Sequence, residues 1–406
     1  MKIAIAIQRQ ADVGRYYDLP LDTLSMAAML KTAGNEVSYI NCNDCHGSYE
    51  AILKDNLGDA EVVAFNAAST EYNEISALLI GLRKVNENIK IIGGGDLVSS
   101  DPDLILEALK LDVALVGEVE MTCLAAIEML KQGKNPIKLN FSDNKGCDLD
   151  TLPIPDYTDF GLDMWLGRQR PSDTYYLYPL DSPRCIPFFT SRGLPFTDKM
   201  QYDWHERSYS RKSKQRIEGE IGFLKENFDF NMLRITDRYF NPDSEVLKVL
   251  AASGLKWSCT LPVEFAKPDK LKELKEAGCY LCDYDIQSFV TDILKDIGRN
   301  YTGQDAMNAM EWTHTVGMGA RTRVYYGQPA ECWRSFAYNL RLAMAHKDWH
   351  LEFRAALLHP GSESFLEAVD NKALDYPIHY YEQGCPCVNM TAMPQYQYQA
   401  IDTTLK

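Results

Sequence analysis

Lys2-Ile3-Ala4-Ile5-Ala6-Ile7 is an unbroken apolar run that turns polar at once, at Gln8-Arg9-Gln10. An alternating strand would show one wet face, whereas this run has none, as expected of a strand covered on both sides in a parallel sheet. It is too short for a signal peptide. Similar runs recur at residues 36–40, 60–66, 89–92 and 113–116, with helical patterns at 23–32, 49–54, 72–85, 101–110 and 121–131 between them. Strands separated by helices imply right-handed crossovers and a parallel sheet. The spacing predicts a flavodoxin-like, Rossmann-type doubly wound α/β domain over residues 1–134.

Residues 135–183 hold Pro136, Pro153, Pro155, Pro171, Pro179 and Pro183 without clear periodicity, and read as a linker packed on the surface. A second series follows, with strands expected at 186–190, 232–236, 256–260, 280–286, 321–326 and 351–358. Helices are expected at 214–227, 244–252, 270–278, 303–316 and 335–346. Six βα units in succession predict a partial (β/α)6 barrel over residues 184–365. The extension over residues 366–406 shows no period.

Composition narrows the function. The 406 residues include 42 basic and 57 acidic side chains, a net charge of −15, which argues against phosphate-backbone binding. No apolar run reaches the roughly 18 residues of a spanning helix. A cytoplasmic enzyme or binding protein acting on a small molecule is expected, with neither nucleic acid nor membrane as partner. Eleven cysteines in a reducing compartment suggest metal or catalytic use.

Open α/β sheets bind ligands at the carboxyl ends of their strands. There the first domain carries Tyr16, Tyr17, Asp18 and Leu19 after strand one, and Ser69 and Thr70 after strand three. Gly93, Gly94 and Gly95 follow strand four, and Gly117 and Glu118 follow strand five. Consecutive glycines let a backbone approach a bulky ligand, although all of these are also ordinary loop-tip residues.

The ordered set resembles the cobalamin-binding domain that precedes a radical S-adenosylmethionine (SAM) barrel. Leu19-Pro20-Leu21 opens a small apolar helix ending in Leu30-Lys31-Thr32-Ala33-Gly34-Asn35-Glu36-Val37. The Gly93–Gly95 turn, the Asp112 to Glu120 stretch and Asp148-Leu149-Asp150-Thr151-Leu152-Pro153-Ile154-Pro155-Asp156-Tyr157 match the family in order. The resemblance implies cobalamin contacts from Tyr16, Tyr17, Asp18, Leu19, Ser69, Thr70, Gly93, Gly94, Gly95, Gly117 and Glu118. The loop that would supply a histidine ligand to cobalt reads Asp12-Val13-Gly14-Arg15 instead, so no histidine ligand is expected. His46 reads as a surface residue.

The second domain keeps the family's frame and lacks its cysteines. Thr190-Ser191-Arg192-Gly193 leads into Leu194, Asp198 and Gln201, where the family has the three thiolates of a four-iron four-sulfur cluster. Leucine cannot ligate iron, and the two oxygen donors would not hold a standard cluster, so none is expected. Asp237-Arg238-Tyr239-Phe240, Gln287-Ser288, Gly327-Gln328-Pro329-Ala330-Glu331 and His359-Pro360-Gly361-Ser362 resemble family motifs at strand ends. The resemblance implies SAM contacts from Phe196, Thr236, Asp237, Gln287, Ser288, Arg323, Leu358 and His359.

Reduced cobalamin is a nucleophile and SAM a methyl electrophile, so methyl transfer through methylcobalamin needs no cluster. The reaction expected is non-radical methyl transfer to a small molecule, with a cobalamin reductase or a partner enzyme alongside. Alternatives are a cobalamin enzyme that no longer uses SAM, an inactive scaffold for an intact radical SAM partner, and a plain barrel enzyme with a vestigial first domain. Arg321, Arg323 and Arg354 read equally as substrate ligands or as ion-pair partners. Asp198 with His205 is a weak metal candidate, and Trp204–Tyr209 reads as packing or substrate lining. Cys42/Cys45 and Cys279/Cys282 read as buried or incidental thiols, the latter two on opposite strand faces. Cys385/Cys387 is a candidate redox or ligand pair.

Overall fold

The computed structural model describes residues 1–10, 17–135, 137–140, 147–170, 177–196, 199, 209–371, 374 and 377–405. These form two compact units. Unit one holds Met1–Arg168 and His359–Pro386; unit two holds the described residues of Gln169–Met200, Glu206–Leu358 and Cys387–Lys406.

Unit one is built on a parallel sheet of β1 (Lys2–Ile7), β2 (Glu36–Asn41), β3 (Val62–Asn66), β4 (Lys90–Gly94), β5 (Val113–Val116) and β6 (Lys138–Asn140), in the order β2-β1-β3-β4-β5-β6. The short edge strand β6 is not foreshadowed by hydrophobic pattern, since its residues are largely exposed. The crossovers are α1 (Leu21–Thr32), α2 (Tyr49–Asn56), α3 (Tyr72–Val85), α4 (Asp96–Ser100), α5 (Pro102–Ala108) and α6 (Val119–Lys131). Met26, Ala27 and Leu30 of α1 share one core with Cys123, Ala126 and Ile127 of α6 and with Ile3, Ile5 and Leu115 of the sheet. Asp101 caps α5 by accepting from Leu104 N–H, with Pro102 in the first turn.

The proline-bearing stretch read as a linker contributes to this unit's interior. Asp156 accepts from Lys31 Nζ at 2.5 Å and from Tyr39 Oη at 2.9 Å. Beyond it, α7 (Tyr157–Phe160) and α8 (Leu162–Leu166) bury Phe160 and Trp165, and Trp165 Nε1 donates to the Tyr17 carbonyl at 3.0 Å.

Unit two is a sheet of β7 (Cys185–Phe188), β10 (Met232–Ile235), β11 (Lys256–Thr260), β12 (Cys279–Gln287), β13 (Gly319–Tyr326) and β14 (Leu351–Ala355). All neighbours are parallel and lie in chain order, the partial barrel expected. A small ladder pairs β8 (Ser191–Arg192) with β9 (Ser210–Arg211). The outer layer is α9 (Lys214–Asn227), α10 (Ser244–Ser253), α11 (Pro268–Glu276), α12 (Thr291–Asp296), α13 (Gly303–Thr315) and α14 (Trp333–Ala345).

The C-terminal extension, expected to be irregular, is partly helical. In unit one it supplies α15 (Glu363–Asp370) and α16 (Pro377–Glu382); in unit two it supplies α17 (Gln395–Leu405). Tyr398 and Ile401 of α17 pack with Tyr326 and Phe336. Among the described residues no helix is long and apolar enough to cross a membrane.

Candidate cofactor and active site

In unit one the strand order sets the carboxyl ends of β1, β3, β4 and β5 side by side. Among the described residues, Gln8 Oε1 just past β1 and Asn66 Oδ1 at the end of β3 are buried acceptors there without a hydrogen-bond partner. Native proteins leave few such groups, and a ligand carrying N–H or O–H donors would satisfy both. Neither was singled out from sequence, because an unmet acceptor is visible only once its neighbours are placed.

The glycine turn has a clearer cause than ligand approach. A Cβ on Gly95 would lie 2.3 Å from Asn66 Oδ1 and 2.4 Å from the Ala67 carbonyl, and its φ is +89°. Gly93 is crowded by Phe65 and Leu111, and Gly94 by Val119. The three glycines thus let the β3 and β4 ends close on one another, with Ala67 N–H donating to the Gly94 carbonyl at 3.1 Å.

The other residues named for cobalamin fall into two groups. Tyr17 is buried, its Oη accepts from Asn41 Nδ2 at 2.7 Å, and the Arg168 guanidinium lies over its ring. Burial pushes its phenol up to about 12. Leu19 is buried, and Gly117 N–H donates to Ser99 Oγ at 3.1 Å. Glu118 is buried at the start of α6. Asp18 and Thr70 are exposed, as is His46. Ser69 is buried, and its carbonyl accepts from Cys385 Sγ at 3.5 Å. Around it Ser100 Oγ meets Tyr381 Oη at 2.8 Å, and Asn73 Nδ2 donates to the Glu382 carbonyl at 2.9 Å. Tyr16 lies outside the described residues.

In unit two the loop after β7 is fastened from below. Asp237, buried, accepts from Thr190 N–H at 2.6 Å, Thr190 Oγ1 at 2.5 Å and Ser191 Oγ at 2.7 Å. Burial pushes its carboxyl up. Leu194, the first of the three positions expected to lack a cluster cysteine, is buried; Asp198 and Gln201, with Trp204 and His205, lie outside the described residues. Phe196 stands edge-on to Tyr239, with ring centroids 5.9 Å apart.

Several side chains named for SAM are committed to their own scaffold. Thr236 Oγ1 donates to the Phe188 carbonyl at 3.3 Å. Ser288 Oγ accepts from Asn339 Nδ2 and Val290 N–H, both at 3.2 Å. Gln287 is buried with φ +67°, and its Nε2 donates to Asp285 Oδ2 at 3.2 Å. Leu358 is buried in unit two, whereas His359 belongs to unit one.

The arginines on the late strands are ion-paired. Asp283 Oδ2 accepts from Arg321 at 2.5 Å and from Arg323 at 3.1 Å, and Arg354 pairs with Glu352 at 2.7 Å. Among the described residues, Asp283 Oδ1, Gln328 Oε1 and Glu331 Oε1 are nevertheless buried amide or carboxylate acceptors of this unit with no partner. Glu331 Oε2 accepts from Gly327 N–H at 2.6 Å, and burial raises its carboxyl to about 7.

Cys42, Cys279 and Cys282 are buried, as read from the sequence, and Cys385 and Cys387 fall in different units. Cys279 and Cys282 do not point to opposite faces, their sulfurs being 4.0 Å apart. The pairing of β11 with β12 shifts register between Trp257 and Ser258, passing over Tyr280, so one extra residue returns Cys282 to the face of Cys279. That face looks toward the helices, since Tyr284, two residues on, meets Thr313 of α13 at 2.5 Å.

A B12 binding domain model matches residues 14–127. An uncharacterized methyltransferase, PH0819, of Pyrococcus horikoshii is 24% identical over 78% of this chain and 71% of its own. In fold, the chain is similar to TsrM, a radical SAM methyltransferase from Kitasatospora setae whose structure holds cobalamin and a four-iron four-sulfur cluster. The TM-score is 0.70 at 13% identity over 92% of this chain and 75% of that one. It is also similar to the cobalamin-dependent SAM radical enzyme OxsB, solved with aqua-cobalamin and SAM. The TM-score there is 0.63 at 14% identity over the whole of this chain and 62% of that one. The chain therefore carries a B12-binding domain and has the fold of cobalamin-dependent radical SAM enzymes.

Proposed function

We propose that this chain is a cobalamin-dependent methyltransferase acting on a small molecule, working by polar methyl transfer without a cluster in the loop after β7. The observation that carries the reading is the state of that loop. Its frame is kept, with Asp237 clamping Thr190 and Ser191, while buried Leu194 stands at a cluster position. A side chain with no donor atom cannot ligate iron there.

Bound cobalamin supplies a nucleophilic cobalt that accepts and passes on a methyl group. The chain's own contribution is positioning. Gln8 and Asn66 offer acceptors to the amide side chains of the corrin, and the Gly93–Gly95 turn keeps Asn66 where its acceptor stays open. No histidine is needed as a ligand, and His46 is exposed on the surface. In unit two Glu331, Gln328 and Asp283 supply acceptors for a donor-bearing ligand, with SAM the first choice.

Thr236, Asp237 and Ser288 spend their polar atoms on their own backbone and neighbours, which favours a second reading: a cobalamin enzyme that has given up SAM. Purification with added cobalamin, followed by absorption spectra and iron assay, tests the first reading. Stoichiometric cobalamin with no iron–sulfur absorption is expected; stoichiometric cluster iron, or no cobalamin, refutes it. Titration calorimetry with SAM and its demethylated product separates the two readings.

A further inference from the structure

Cys259 on β11 and Cys279 and Cys282 on β12 bring their three sulfurs within 4.8 Å of one another, all buried. Among the described residues no histidine, aspartate, glutamate or further cysteine joins this group. Three sulfurs bound to one ion at about 2.3 Å in a trigonal plane stand about 4 Å apart. The Cys279–Cys282 separation is 4.0 Å, the spacing one such ion sets, and Cys259 Sγ lies within 4.8 Å of both. The local backbone departs from regularity to achieve this, because the register shift beside Trp257 is what turns Cys279 and Cys282 to the same side.

We propose that Cys259, Cys279 and Cys282 form a three-coordinate site for a single thiophilic ion of the cuprous type. Soft thiolates select such ions, whereas structural zinc almost always takes four ligands. The site faces the helix layer, the side of Tyr284 and Thr313, so it is separate from any chemistry inside the barrel. Its role is structural: the ion joins the third and fourth barrel strands and adds its binding free energy to the fold.

The test uses the full chain with Cys45, Cys332 and Cys387 changed to serine, which removes the exposed and half-exposed thiols. Cuprous ion is titrated under anaerobic, reducing conditions against a chromophoric chelator. One ion per chain is expected, with three sulfur scatterers by X-ray absorption and a raised melting temperature. Adding Cys259→Val or Cys282→Ser should weaken binding by at least ~100-fold. No binding, equal binding in both variants, or a two-sulfur coordination sphere overturns the proposal and leaves three buried thiols packed as small apolar groups. Should a variant fail to fold, the coordination number in the parent chain decides.

Discussion

Glu331 offers a prediction whose size follows from the structure. Its carboxyl sits in a buried turn with one oxygen held by Gly327 N–H and the other unmet. Burial raises it from 4.5 to about 7. A carboxyl raised on folding favours the folded state while protonated. That contribution is fully present below pH ~4.5 and is lost as pH rises through ~7. At about 1.4 kcal/mol per tenfold change in acidity, the ionised carboxylate costs about 3 kcal/mol at pH 8, of which about 2 kcal/mol develops above pH 5.5. Glu331→Gln keeps an acceptor for Gly327 and removes the titration. Urea unfolding at pH 5.5 and pH 8 is followed by tryptophan fluorescence, which reports mainly on unit two through Trp257, Trp312, Trp333 and Trp349. The variant should match or modestly exceed the parent at pH 5.5 and exceed it by up to ~3 kcal/mol at pH 8. An equal offset at both pH values, or a variant less stable at pH 8, refutes the reasoning.

Gly95→Ala forces a Cβ against Asn66 and Ala67 at positive φ, and should cost at least ~2 kcal/mol and weaken cobalamin binding, read by melting and by equilibrium dialysis. Lys212, buried, pairs with Glu220 at 2.5 Å and lies 3.6 Å from the Phe189 ring centroid. Lys212→Met leaves a buried carboxylate with Arg216 alone and should destabilise by ~3–5 kcal/mol, while adding Glu220→Leu should recover most of that loss in chemical denaturation. Asp237→Asn cannot accept from three donors at once; local hydrogen exchange at Thr190 and Ser191 should rise, and unchanged protection there would refute the clamp.

The parts legible in the sequence were those written in hydrophobic rhythm. The helices Tyr72–Val85 and Lys214–Asn227 and the strand Lys256–Thr260 fall where periodicity puts them, since each buries a regular set of apolar residues. β6 was not visible because its exposed residues carry no pattern. The extension beyond residue 375 looked irregular, yet α17 forms there with only Tyr398 and Ile401 buried. The cysteine cluster escaped for a different reason. Strand alternation assigns faces only while the register holds, and one passed-over residue at Tyr280 reverses the assignment. The unmet acceptors Asn66, Asp283 and Glu331 were beyond reach from sequence, since solvation is a property of neighbours distant in the chain.

The return of residues 359–386 to unit one has a consequence for how the molecule is made. Cys385 reaches the Ser69 carbonyl across 316 residues of sequence. Closing such a loop adds only logarithmically to the entropy cost, but it orders events in time. On the ribosome, β1–β6 emerge early, while the segment carrying Tyr381 and Cys385 emerges only after all six barrel strands. Until then Ser69, Tyr72 and Ser100, beside the strand ends that would take the cofactor, remain uncovered. Completion of the first unit is thus a late event in the life of the nascent chain, timed by synthesis of the second.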